Sequence, residues 1–209
     1  MFRGLSGDGV HGMKPPIESV RQGSGHMIRD QDCVVLDAAF LAQARLTPFQ
    51  RRIAEITFRT VDALSPTCVT ATASLGGRTG LSAGTLVLRF LPRREGAAAM
   101  TINIEPKTSV HIEVGEGTTY SLPDDVWDPR VKDITGFTEQ IVRAVIAGKV
   151  RETIVYRGHV PVKWNSEIDI EGGPVSMRRS LLLGMLVGGF RRCRTRDVQY
   201  APYGPVLAP

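Results

Sequence analysis

Between Met100 and Leu122 three runs of alternating character are joined by connections too short to cross a sheet. That feature constrains the fold more than any other. Met100, Ile102 and Ile104 alternate with Thr101, Asn103 and Glu105; Val110, Ile112 and Val114 alternate with Ser109, His111 and Glu113. Successive side chains of a strand point to opposite faces, so this spacing predicts one apolar face and one polar face. The connections, Pro106–Thr108 and Gly115–Gly117, can only join antiparallel neighbours. Upstream, 67–75 alternates Val69, Ala71 and Ala73 against Thr70, Thr72 and Ser74, and a Gly-rich loop, 76–84, leads to a further strand at 85–91. With 118–122 this makes about five strands in a meander.

Helices flank the run. A first helix is predicted from Pro48 to about Leu64. Thr47 is a suitable N-cap, Pro48 suits the first helical position, and Gln50 has the spacing of a capping box. Phe49, Ile53, Ile56, Val61 and Leu64 then share a face, and Ser65-Pro66 ends the helix. A second is predicted from about Gly136 to Ala147, with Phe137, Ile141, Val142 and Val145 as its stripe and Gly148 as its stop. Strands are expected at 150–156 and 166–170. Residues 180–190 read either as a third helix or as a buried strand. Together these predict an α+β fold, an antiparallel meander sheet of about five to seven strands packed on one face by two or three helices.

Composition agrees with a folded globular chain. The 209 residues are 42% hydrophobic and 22% charged, and a chain of that size needs no disulfide or metal staple. Cys33, Cys68 and Cys193 are odd in number and far apart, and His11, His26, His111 and His159 lack ligand spacing, so neither a metal nor another cofactor is expected. Residues 1–29, rich in Gly and polar residues around Pro15-Pro16, are expected to form a flexible arm, whether a native extension or an expression linker, ahead of a single domain at 30–209. No secretory signal is indicated. The longest apolar run, Leu181–Phe190, is half of the about 20 residues that span a bilayer. A cytoplasmic protein without a membrane span is the expectation.

Candidate sites come from three places. On the polar sheet face Glu105, His111 and Glu113, with Asn103 and Arg89 nearby, could place an imidazole between carboxylates for acid–base work; the same residues also suit a plain wet sheet face with cross-strand charge pairing. The net charge of +5 is unevenly spread. Arg178, Arg179, Arg191, Arg192, Arg194 and Arg196 form a basic C-terminal cluster that could meet nucleic-acid phosphates or remain a solvated face. Finally, Trp127 beside Asp124, Asp125 and Asp128, together with Trp164, could anchor a partner or plug the core. The Gly-rich 76–84 lacks the Lys-Ser/Thr pair and following helix of a phosphate loop and reads as a hairpin connection. The reading that absorbs most of this is a non-enzymatic protein recognising a macromolecular partner, most simply another protein, in an adaptor, immunity-type or chaperone-like role. The alternatives are a small enzyme or small-molecule-binding domain on the polar face, and nucleic-acid binding through the arginines.

Overall fold

The computed structural model describes residues 34–63, 68–76, 84–122, 133–180 and 193–204, with 178–180 described as backbone. All of them belong to the unit Gln31–Pro209. The expected arm at 1–29 lies outside the described residues.

The alternating runs form a six-stranded antiparallel meander: β1 (Val34–Val35), β2 (Val69–Leu75), β3 (Leu86–Pro92), β4 (Met100–Ile104), β5 (Val110–Val114) and β6 (Thr118–Leu122), in that spatial order. Register sets Ala73, Leu88, Ile102, Ile112 and Tyr120 in one row across five strands. Met100, Ile102, Ile104, Val110, Ile112 and Val114 are each at most 1% exposed. The dry face predicted from alternation is therefore present. Each such side chain contributes about 1.5–3 kcal/mol by leaving water.

Three helices accompany the sheet: α1 (Ala38–Gln43), α2 (Pro48–Asp62) and α3 (Ile134–Ile146). The capping box at Thr47 forms as spaced, with the Gln50 amide N–H donating to Thr47 Oγ1 and the Thr47 N–H donating to Gln50 Oε1. The Gln50 side-chain amide then donates to the carbonyls of Gly84 and Ile104, tying the helix start to β4. Asp133 caps α3 by accepting from Thr135 N–H. Ile53, Ala54 and Val61 of α2 and Phe137, Ile141, Val142 and Val145 of α3 share one apolar core with the meander.

Beyond α3 the chain adds to the sequence expectation. The two expected strands are present, within β7 (Val150–Arg157) and β8 (Val160–Ile170), and with β9 (Gly173–Ser180) and β10 (Cys193–Gln199) they form a second antiparallel sheet ordered β10-β7-β8-β9. β8 is twice its predicted length. Its buried positions, Val162, Trp164, Ser166, Ile168 and Ile170, do alternate, but a serine among them and Pro161 near the start hide the pattern. β10 carries no apolar alternation because it is an edge strand, exposed along nearly all its length. The choice between helix and strand at 180–190 lies outside the described residues beyond Ser180, which ends β9.

The two sheets meet at the β5–β6 turn. Gly115 has φ +64, and a Cβ there would overlap the Tyr200 hydroxyl and the Glu152 carboxylate; one at Gly117 would overlap the Trp164 indole. Gly117→Ala is therefore expected to destabilise the fold by roughly 1–3 kcal/mol, as overpacking of a rigid aromatic contact does. Chemical denaturation checks this, and an unchanged midpoint would mean that the turn does not press on Trp164.

Candidate functional site

On the polar face of the meander, register places Asn103, His111 and Ser121 in one row and Thr101, Glu113 and Thr119 in the next. His111 Nδ1 lies 3.0 Å from Ser121 Oγ, and its Nε2 lies 3.7 Å from Glu105 Oε1. Both members of the His111–Glu105 pair are partly exposed. Glu113 is exposed in the neighbouring row, across from Thr101 and Thr119. Of the three residues singled out from sequence, the fold thus couples two directly and adds Ser121. That serine was legible in principle, since a three-residue turn at 115–117 pairing Val114 with Thr118 also pairs His111 with Ser121. Asn103, 2% exposed, keeps its Oδ1 buried without a hydrogen-bond partner. Such a group costs about 1–3 kcal/mol.

A second polar cluster sits at the junction of the sheets. Glu152 is fully buried. Its carboxylate accepts hydrogen bonds from the hydroxyls of Tyr200 and Thr118 and, at 3.0 Å, from the Glu116 backbone N–H. Thr118 also hydrogen-bonds Ser166. Three donors on one buried carboxylate replace the water it has lost. The Tyr200 phenol is pushed up, first by burial and then by its hydrogen bond to Glu152. Tyr203, which donates to the Ala98 carbonyl at 2.6 Å, is also pushed up, by burial. The cluster is sealed from solvent and serves as a clamp between layers.

The third region is the surface of the second sheet. Arg194 and Arg196 are exposed on β10. Arg196 forms an ion pair with Glu116 at 3.0 Å. Arg178 and Arg179 lie on β9, in register with Asn165 and Trp164. Since β9 and β10 are the outer strands of that sheet, three strand spacings, roughly 14 Å, separate the two arginine pairs. Arg191, Arg192, Asp124, Asp125, Trp127 and Asp128 lie outside the described residues. Trp164 does not sit in or beside a loop, as its flanking residues suggest, but within β8, 8% exposed, with its ring against Gly117.

Three grooves are lined by these elements. One of about 320 Å³ runs between the tip of the β7–β8 hairpin and β10, lined by Tyr156, Gly158, His159, Arg194, Thr195 and Arg196. Another of about 400 Å³ is lined by residues that include Lys149, Arg151, Glu167, Asp169 and Gln199. A smaller one of about 170 Å³ lies between the end of α3 and β8. None of the three is lined by Glu105, His111 or Glu113. Among the described residues no cluster of three or more His, Cys, Asp or Glu side chains could hold a metal, and no helix is long and apolar enough to cross a membrane. No protein-family model, curated protein or solved structure matches the chain.

The two raised tyrosines set an alkaline limit on stability. A phenol whose folded value lies above its ordinary 10.0 contributes fully below about pH 10; the unfolded chain alone then ionises as pH rises, and the contribution is lost. Stability is therefore expected to fall above about pH 10. The double substitution Tyr200→Phe with Tyr203→Phe should flatten that limb while lowering stability at neutral pH. Urea midpoints between pH 7 and 11 test it, and identical alkaline slopes in the two proteins would refute the assignment.

Proposed function

We propose that this chain binds another protein, and that the contact runs along the open edge of the second sheet at β10. The observation that carries the reading is the edge itself. β10 is seven residues long, mostly exposed, and among the described residues is paired on one side only, with β7. An edge of this length is a template for an incoming strand. Tyr200 N–H donates to the carbonyl of Val150, which the register sets opposite it. The alternation of an antiparallel ladder then aims the N–H groups of Thr195 and Asp197 away from β7, toward the open side. Arg194 lies beside those donors, which favours an extended partner segment carrying acidic side chains, while Arg196 is paired with Glu116.

Charges on an edge also protect it from promiscuous pairing with other copies of the chain. That supports a selective contact rather than self-assembly.

A second reading, acid–base chemistry on the polar face of the meander, is favoured by the Ser121–His111 contact at 3.0 Å. It expects His111-dependent labelling of Ser121 by a fluorophosphonate. Absence of labelling in the native chain would dismiss it.

For the leading reading the substitution is Thr195→Pro. Proline removes an outward N–H while leaving the bonds to β7 in place, so the fold should keep its stability. Affinity purification from lysate at low and high salt is expected to recover a partner with the native chain and to lose it with Thr195→Pro. Recovery of the same partner by the proline variant, or of none by the native chain, would overturn the edge contact.

A further inference from the structure

We propose that the groove at the tip of the β7–β8 hairpin is an oxyanion site for a phosphate monoester group, held by Arg194, His159 and the Tyr156 hydroxyl. The site goes beyond the edge contact and does not depend on it, because a small anion needs no added strand.

The walls come from two strands and one turn. Tyr156 and Arg194 are cross-strand partners, and Arg196 lies two residues further along β10. Gly158, at φ +68, supplies the left-handed residue of the two-residue turn that brings His159 over the groove. A register shift between Val155 and Tyr156, where β7 pairs with β8, bends the strand at the groove wall.

The donors divide into one that is occupied and several that are not. Arg196 is held by Glu116 through both carboxylate oxygens, at 3.0 and 3.3 Å. Interactions with Tyr156 and then with Glu116 raise its already high pKa. The Tyr156 phenol, beside it in the groove lining, can donate its O–H to an anion. Among the described residues the side chains of Arg194 and His159 have no hydrogen-bond or ion-pair partner. The groove therefore presents a fork of guanidinium N–H groups, an imidazole and a phenol O–H around a space of about 320 Å³. Donors from two strands and a turn around one groove suit the several terminal oxygens of a tetrahedral phosphoryl group. Among the described residues that line the groove there is no carboxylate, and the nearby Glu116 is paired with Arg196. Arg196 lines the same groove with its charge taken up by Glu116, and Arg194 is the direct ligand.

Titration of the full chain with inorganic phosphate and with phenyl phosphate, followed by backbone amide shifts, tests the site. Saturable shifts confined to residues 156–159 and 194–196 are expected, with affinity falling about tenfold on Arg194→Ala. His159→Gln should weaken binding, and Arg151→Ala, in the other groove, should not; unchanged spectra away from the site establish that the variants fold. Tighter binding of phenyl phosphate would identify an esterified source, and tighter binding of inorganic phosphate a free one, either outcome supporting the site. Unsaturable shifts spread over the basic surface, or equal affinity in Arg194→Ala, would overturn it. So would binding confined to single-stranded DNA with a salt dependence of several phosphates. None of these results bears on Thr195→Pro, so failure here leaves the edge contact standing, and the reverse holds as well.

Discussion

The arrangement of this molecule depends on one insertion, the β5–β6 turn pressed into the inner face of the second sheet. Its two glycines leave room for the Trp164 ring and the Tyr200 hydroxyl. Between them the Glu116 N–H reaches the buried carboxylate of Glu152. A carboxylate taken out of water without a cation beside it persists only if its oxygens are met by donors. Here each donor comes from a different part of the fold: Tyr200 after β10, Thr118 on β6, Glu116 in the turn. Losing any one of them leaves the others inadequate, so the cluster fixes the relative placement of the sheets more sharply than apolar packing could.

That clamp has a consequence for the surface. Residue 116 offers its backbone to Glu152 and its side chain to Arg196. The same turn that joins the sheets inside therefore orients a guanidinium outside, on the exposed edge of β10. Arg196 in turn lines a groove beside Tyr156. A chain of contacts runs from the buried carboxylate, through one peptide unit and one ion pair, to the wall of a groove. The edge strand is thus tied to the buried cluster through Glu116. Surface ion pairs alone give little; here the Glu116 backbone is already fixed, so less side-chain entropy opposes the pair.

The parts of this fold that were legible in the sequence share a physical property: their signal is local. Alternation from Met100 to Val114 registers a dry face directly, and Thr47-Pro48-Phe49-Gln50 encodes a helix start in four residues. The second sheet was obscured because its signals are not local. β10 is polar because it is an edge, and nothing within Cys193–Gln199 distinguishes an edge strand from a charged loop. β8 buries Ser166 because Thr118, far away in sequence, supplies its partner. Trp164 looks like a loop residue beside Pro161 and Asn165 until a glycine from another sheet is seen beneath it.

The candidate sites divide along the same line. Glu105 and His111 were found because both fall on the polar face of a recognisable meander, and Ser121 was missed because its approach to His111 is a property of register. Six arginines close in sequence read as one patch, yet strand order puts Arg178 and Arg179 on the opposite edge of a four-stranded sheet from Arg194 and Arg196. Conversely, Tyr156 and His159 carry no signal that links them to Arg194, since the hairpin that gathers them has to form first. Proximity in sequence is thus a poor guide to a binding surface built on β-strands. The pairing order decides which charges lie together, and in this chain it sets Arg194 and Arg196 beside Tyr156 and His159 rather than beside Arg178 and Arg179.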